Sequence, residues 1–195
     1  MLRTRATLLR LQLNPHFLFN SLNSVAALLE DDASTAQRMT AELRHFVVRV
    51  LERSDREEVP LSEELDSLAA YVAIENIRFD GRAELVIAAS DDAQGALVPS
   101  FLLQPLVENA LRHGLLPETG GRVAVQANVR QREVHITVND DGRTIHTEVP
   151  AREGLGLSNT RARLAQTYGD EFSLDIDARE NGFAVAMVLP YRFAP

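Results

Sequence analysis

The residues best suited to chemistry stand in the stretch 14–23, which reads Asn-Pro-His-Phe-Leu-Phe-Asn-Ser-Leu-Asn. On a helix, Gln12, His16 and Asn20 share one polar face. An apolar stripe runs along the opposite face and comprises Leu11, Pro15, Leu18, Leu22, Val25 and Leu29. An exposed, neutral imidazole whose tautomer is held by neighbouring amides can accept a phosphoryl group or transfer a proton. His16 is therefore a candidate catalytic residue supported by Gln12 and Asn20, and a solvated surface histidine is the alternative.

A second candidate, Asn109, stands near the end of the predicted helix 100–113, after the apolar residues Leu102, Leu103, Leu106 and Val107. Asn109 offers a neutral oxygen ligand, which suits a Mg²⁺ ion that already carries phosphate oxygens. The alternative is an ordinary helix C-terminus, where Arg112 and His113 are favoured by the helix dipole.

Two further patterns are typical of nucleotide contacts. Asp140 closes a predicted strand, and its carboxylate could accept the amino hydrogens of an adenine while Gly142 lets the ring approach the backbone. An Asp-Gly turn is the commoner explanation. Gly154 and Gly156 open a helix, where free backbone N–H groups can bind phosphate. A lone pair of glycines is weak evidence, because most such pairs lie in plain loops.

Composition excludes several classes of protein. The chain has 195 residues and a net charge of −8, which is the wrong sign for a nucleic-acid binder. It has no cysteine, so disulfides and thiolate chemistry are excluded, and every basic residue is arginine. Without lysine there is no P-loop lysine or protein-kinase strand lysine, so any use of ATP must follow a lysine-free route.

The hydrophobic periodicity predicts an α+β fold. An N-terminal helical hairpin is too small to stand alone and is expected to dimerise into a four-helix bundle. A third helix follows, and then helices packed on one face of a mixed, mostly antiparallel sheet. The predicted helices are 2–30, kinked at Pro15, then 35–53 with Ser34 as N-cap, 61–79, 100–113 and 157–168. The predicted strands are 85–88, 122–129, 134–138, 172–176 and 183–189, with a loop at 91–94.

No apolar run is long enough to span a membrane, and no signal peptide is visible. We therefore expect a cytoplasmic, soluble chain, either complete or cut from a longer protein.

The order of these motifs resembles that of sensor histidine kinases of two-component systems, in particular the LytS/YehU-like group. The similarity is carried by Asn14 to Asn20, by the connector with Tyr71 and Glu75, and by three later boxes. These boxes are Gln104 to Gly114, Asp140 to Gly142, and Gly154 to Asn159 followed by Arg163. The resemblance covers nearly the whole chain and implies a Bergerat-type (GHKL) ATP-binding domain, which needs no lysine.

The resemblance also implies roles for individual residues. His16 would take the γ-phosphoryl group of ATP and pass it to an aspartate on the receiver domain of a response regulator. Asn109 would ligate Mg²⁺ and Asp140 would bind adenine. The remaining nucleotide-binding residues would be His113, Gly142, Gly154, Gly156, Leu157, Asn159 and Arg163.

The implied organisation is a homodimer with three parts. Residues 1–58 would form the dimerisation and phosphotransfer hairpin, 59–80 a connector helix, and 81–195 the ATP-binding domain. An upstream sensor region would lie outside this chain, in a parent protein expected to be membrane-associated. No nucleic-acid partner is expected.

Three departures from the family pattern leave other functions open. Thr144 stands where a second glycine is expected, Phe17 follows the histidine where many histidine kinases have an acid, and Pro105 stands where an ATPase of the Hsp90 or gyrase kind has its water-activating glutamate. One alternative is a non-catalytic dimeric scaffold that binds nucleotide poorly or only docks a regulator. Another is a Bergerat-fold ATPase.

Overall fold

The fold is described by a computed structural model, which covers residues 15–79, 81–114, 121–141, 155–179 and 182–193. Within these ranges two helices, α1 (Pro15–Asp31) and α2 (Ala33–Arg53), form a hairpin. The second begins after Asp32, whose carboxylate accepts a hydrogen bond from the backbone N–H of Thr35. Asp32 is therefore the N-cap, and the predicted cap at Ser34 was wrong by two residues.

A connector carries the chain from the hairpin to the second half of the molecule. It comprises a short strand, β1 (Glu58–Pro60), and the helix α3 (Leu61–Arg78), which agrees closely with the predicted helix 61–79. The strand β1 pairs antiparallel with β3 (Leu97–Pro99). The sequence did not predict this small sheet, because three-residue strands are too short to show alternation.

The second half is a five-stranded sheet with helices on one face. Its strands are β2 (Ala83–Ala89), β4 (Gly121–Arg130), β5 (Glu133–Asp140), β6 (Ser173–Arg179) and β7 (Gly182–Pro190), in the order β2-β4-β5-β7-β6. Among the described strands of this sheet, β2 and β4 pair in parallel and all other pairs are antiparallel, so the sheet is mixed and mostly antiparallel, as predicted. The short helix α4 (Asp91–Gln94) replaces the predicted loop, with Ser90 as its N-cap.

Two helices cover the apolar face of the sheet: α5 (Gln104–Gly114) and α6 (Leu155–Tyr168). Alternate residues of the three central strands are buried, namely Val123, Val125, Ala127, Val134, Ile136, Val138, Val185, Met187 and Leu189. They meet a buried face of α5 formed by Leu106, Val107, Ala110 and Leu111. This packing fixes α5 against the sheet and so positions the residues along that helix.

The hairpin is joined to the connector by a cluster of three aromatic rings. The Phe17 ring centroid lies 5.4 Å from that of Phe46 and 4.7 Å from that of Tyr71. Edge-on and tilted aromatic pairs of this kind are favourable beyond their buried area. The cluster therefore holds α1 against both α2 and α3 one residue after His16.

The buried face of α1 differs from the predicted apolar stripe. Phe17 and Ser21 are its buried residues, whereas Leu22 is 55 % exposed and Leu29 is 61 % exposed. Because periodicity marks an apolar face without saying what covers it, the sequence could not distinguish a protomer core from an open surface.

Candidate functional site

His16 lies in the first turn of α1 with an exposed side chain. The Nδ2 atom of Asn20 is 3.2 Å from the imidazole Nε2 and 3.3 Å from Nδ1. The predicted pairing of His16 with Asn20, one helical turn later, is thus present in the structure. Gln12, the other predicted support, lies outside the described residues.

The backbone behind His16 is firmly held. The Phe17 side chain is 5 % exposed within the aromatic cluster, and the hydroxyl of Ser21 donates a 2.8 Å hydrogen bond to the Phe17 carbonyl. The histidine therefore projects from an anchored turn. This anchoring matters because transfer to a side chain requires a defined direction of attack.

A buried carboxylate, Glu75, lies near His16. It is 5 % exposed, it stands on α3 one helical turn after Tyr71, and it forms an ion pair with Arg78. Burial raises the pKa of the Glu75 carboxyl, attraction to Arg78 and to His16 opposes the rise, and repulsion from Glu108 on α5 adds to it. The Glu75 carboxyl is therefore influenced by the charge of His16 on α1 and by the charge of Glu108 on α5.

Sequence reasoning did not assign Glu75 a role. The signal was present, since this acidic residue interrupts the otherwise apolar stripe Leu61, Leu65, Leu68, Val72 and Phe79 of the connector helix. Charged residues on the buried face of a helix are uncommon and are retained when they are paired or functional.

Asn109 lies half-buried on α5, beside Glu108. The Glu108 carboxylate accepts a 2.8 Å hydrogen bond from the side-chain amide of Gln104, one turn earlier. His113 lies in the last turn of the same helix, and its side chain is outside the described part of the structure. The helix thus carries the predicted magnesium ligand on an element fixed by the core.

Asp140 closes β5, as predicted, and β7 comes unusually close to it. The backbone N–H of Phe183 donates to the Asp140 carboxylate over 3.3 Å. Gly182 has φ +129°, and a Cβ atom at this position would overlap the Asp140 carbonyl oxygen. Only glycine fits this approach, so Gly182 is part of what positions Asp140.

The start of α6 lies against the start of α5. A Cβ atom on Gly156 would be 3.7 Å from the Cβ atom of Pro105, and the Gly156 carbonyl accepts a 3.0 Å hydrogen bond from Thr160. Leu157 is buried and Asn159 is exposed. The structure therefore brings Gly156 next to the helix that carries Asn109, whereas Gly142 and Gly154 are outside the described residues, as is Thr144.

Arg163 lies about two turns after the start of α6. Its guanidinium donates to the backbone carbonyl of Ser100, and it lines a polar cleft with Arg56, Gln166 and Arg192. Its predicted nucleotide contact therefore stays a prediction.

The residues around Asn109 fit a magnesium ion only when nucleotide phosphates supply further ligands. Within the described ranges, no three histidine or acidic side chains cluster in a way that could hold a metal ion. Asn109 supplies one neutral oxygen, and Mg²⁺ commonly binds through one or two protein ligands plus substrate phosphates. The described helices also include none long and apolar enough to cross a membrane.

Comparison with known families matches the two halves of the chain separately. Residues 4–83 match the family model described as histidine kinase. Residues 99–192 match the model described as histidine kinase-, DNA gyrase B- and HSP90-like ATPase. The first match includes the whole connector, and the second begins at the last residue of β3.

Individual proteins match across both halves. The chain is 33 % identical to the sensor histidine kinase BtsS of Escherichia coli K12 over 95 % of its own length and 33 % of the relative's. It is 31 % identical to the sensor protein LytS of Staphylococcus epidermidis over 94 % of its own length and 33 % of the relative's. The chain thus spans about a third of the length of these relatives.

A solved structure has the same fold. It is the histidine kinase ThkA in complex with the response regulator protein TrrA, with a TM-score of 0.53, 18 % sequence identity, and coverage of 97 % of this chain and 64 % of that one.

Proposed function

The chain belongs to the histidine kinase family, and from this premise we propose that it is the core of a two-component sensor kinase that autophosphorylates His16 from Mg-ATP. The phosphoryl group would then pass to an aspartate on a response regulator. The observation that carries this proposal is the placement of His16, which is exposed on a helix turn anchored by the buried Phe17 and lies within 3.2 Å of the Asn20 amide.

In this proposal the residues around the nucleotide position ATP and neutralise charge on its phosphates. Asp140 would bind the adenine, Asn109 would hold the magnesium that accompanies the phosphates, and the start of α6 at Gly156 would lie beside them. Magnesium, when bound, would neutralise charge on the phosphates. Asn20 would orient the imidazole ring through its side-chain amide.

The structure also motivates a proposal about assembly. Large apolar side chains remain exposed on the hairpin, on α1 at Phe19, Leu22 and Leu29 and on α2 at Val48 and Leu51. Exposed apolar patches on an amphipathic hairpin are typical of an interface. We therefore propose that two hairpins pair into a four-helix bundle, with residues 1–58 as the dimerisation part, 59–80 as connector and 81–195 as the ATP-binding part.

Partner and location are proposed from the relatives. ThkA was solved with a response regulator, which supports a receiver domain as the acceptor of the phosphoryl group. The relatives are sensor proteins about three times as long, which supports a parent protein with a sensor region in a membrane and this core on the cytoplasmic side.

The test is incubation with γ-labelled ATP and Mg²⁺, followed by acid and base treatment. We expect label that is lost in acid and kept in base, because phosphohistidine has that stability. His16→Gln should abolish it. His45→Gln is the matched control, since His45 is an exposed histidine on the neighbouring helix. No nucleotide binding would favour a scaffold, and steady phosphate release that survives His16→Gln would favour an ATPase.

A further inference from the structure

The Glu75 carboxylate is placed beside His16 by the packing of α1 on α3. Phe17 follows His16, and its ring packs against the Tyr71 ring in a tilted arrangement with 4.7 Å between ring centroids. Tyr71 and Glu75 are four residues apart and so lie on the same face of α3. The contact of Phe17 with Tyr71 therefore keeps the neighbouring His16 close to this part of α3, and His16 is one of the charged groups that act on Glu75.

The surroundings of Glu75 define what it can act on. Among the described residues, the charged groups that act on Glu75 include Arg78 on its own helix, His16 on α1 and Glu108 on α5. Arg78 is ion-paired with Glu75, and the Glu108 carboxylate accepts a hydrogen bond from Gln104. Of these groups, His16 is the one whose chemistry calls for a carboxylate. A histidine beside a phenylalanine lacks the neighbouring acid that would otherwise orient it.

We propose that Glu75 is the positioning residue of His16, holding the proton-bearing ring nitrogen and stabilising the positive charge that the ring acquires during phosphoryl transfer. This inference rests on the proposed function of His16. In this chain, a carboxylate on the connector helix would orient the histidine, because the residue that follows His16 is Phe17 and not an acid.

The step balances without another reactant. A bond forms between the free ring nitrogen of His16 and the γ-phosphorus of ATP. The bond from that phosphorus to the bridging oxygen breaks, and its electron pair leaves with ADP. The ring proton stays on the other nitrogen, facing Glu75, so the new imidazolium lies beside an anion. Preorganised charge of this kind acts mainly on the transition state.

The variant Glu75→Gln tests the proposal, because it keeps the size of the side chain and removes its charge. We expect kcat for labelling of His16 to fall roughly 100-fold, with ATP affinity unchanged. Glu75→Asp, which retains the charge one methylene further back, should recover part of the rate. The matched control is Glu63→Gln, since Glu63 is another arginine-paired carboxylate on the same helix, 2.8 Å from Arg56. That control should label at the wild-type rate.

A spectroscopic readout separates positioning from a structural effect. The ¹⁵N chemical shifts of the His16 ring report which nitrogen carries the proton, without any nucleotide. We expect the ratio of the two neutral tautomers to change in Glu75→Gln and to stay as in wild type in Glu63→Gln. Unchanged tautomers, an unchanged rate, or a loss of ATP affinity equal to the loss of rate would each overturn the role of Glu75. Wild-type label that does not depend on His16 would instead overturn the proposed function.

Discussion

Arg53 at the end of α2 and Glu64 on α3 form an ion pair in which both side chains are almost fully buried, at 2 % and 1 % exposure. Glu64 also accepts hydrogen bonds from the backbone N–H groups of Phe101, at 2.7 Å, and Leu103, at 3.0 Å. The Arg53 guanidinium lies 4.8 Å from the centroid of the Phe101 ring. This buried ion pair and its hydrogen bonds thus connect the helical hairpin, the connector and the loop that leads into α5.

The same loop holds a strained backbone. Phe101 has φ +60°, which is unfavourable for a residue with a large side chain. The two hydrogen bonds to Glu64 and the contact with Arg53 hold it there. Burial lowers the pKa of Arg53 to about 10, so the guanidinium remains charged at neutral pH.

Replacing Glu64 by Gln should therefore destabilise the protein strongly. The change leaves the Arg53 charge buried without its counter-ion, and breaking a buried pair in this way costs about 3–5 kcal/mol. Urea unfolding of both proteins measures the difference. Asp66→Asn is the control, because Asp66 pairs with Arg49 at 3.3 Å but is 60 % exposed, and loss of such a pair costs about 1 kcal/mol or less. Equal costs for the two variants would contradict this account.

Leu29→Glu should weaken the proposed dimer. Leu29 is 61 % exposed on α1, so the substitution adds no buried charge to the protomer but places one in the interface. We expect the dimer dissociation constant to rise at least tenfold, which corresponds to about 1.4 kcal/mol, when measured by sedimentation equilibrium. Ile87→Glu, at an apolar position of β2 that is 38 % exposed, should leave the constant unchanged. A tight Leu29→Glu dimer would place the interface elsewhere.

Gly182→Ala should impair nucleotide binding. The new Cβ atom would overlap the Asp140 carbonyl and move the predicted adenine-binding carboxylate. We expect ATP affinity to fall about tenfold or more, equivalent to at least roughly 1.4 kcal/mol, in a calorimetric titration. Gly169→Ala is the matched control, since Gly169 also has positive φ, +61°, but has open space around its Cβ position. It should lose some stability while retaining ATP affinity. If Gly182→Ala kept its ATP affinity while Gly169→Ala lost it, Asp140 would not be a nucleotide-binding residue.

The raised pKa of Glu75 predicts a pH dependence of stability. Burial holds the folded-state pKa above the unfolded one, so between the two values the native state binds more protons than the unfolded state. Its contribution is therefore present at low pH and is lost as pH rises through the folded pKa. The thermal midpoint of the wild type minus that of Glu75→Gln should be measured across the acid pH range. We expect this difference to decrease as pH rises. A difference that grows with pH would mean that Arg78 outweighs burial.

The sequence predicted much of this arrangement because the fold follows from periodicity. The connector helix, the strands β4, β5, β6 and β7 and the mixed class of the sheet were predicted correctly, since the apolar positions of β4, β5 and β7 alternate clearly. The contact of Asn20 with His16 was also predicted, because helical geometry alone brings residues four apart together.

The features that sequence reasoning missed depend on contacts between distant segments. Glu64 looks like an ordinary helix acid until the packing of α2, α5 and the Phe101 loop shows that it is buried, and the break in the apolar stripe at Glu75 does not reveal which residues face it. The place of Gly182 against Asp140 requires the β5–β7 register, which joins residues 43 positions apart. No local pattern encodes either relationship.

The central claim is that the phosphoryl group of ATP reaches His16, and mapping the modified residue tests it most directly. Cleavage after arginine releases residues 11–38, in which His16 is the only histidine, and separates them from residues 45–49, which contain His45. After incubation of the wild-type protein with Mg-ATP, mass spectrometry under basic conditions should find phosphohistidine in peptide 11–38 alone. Phosphate on peptide 45–49, or an ATP-binding protein whose peptide 11–38 stays unmodified, would contradict the account.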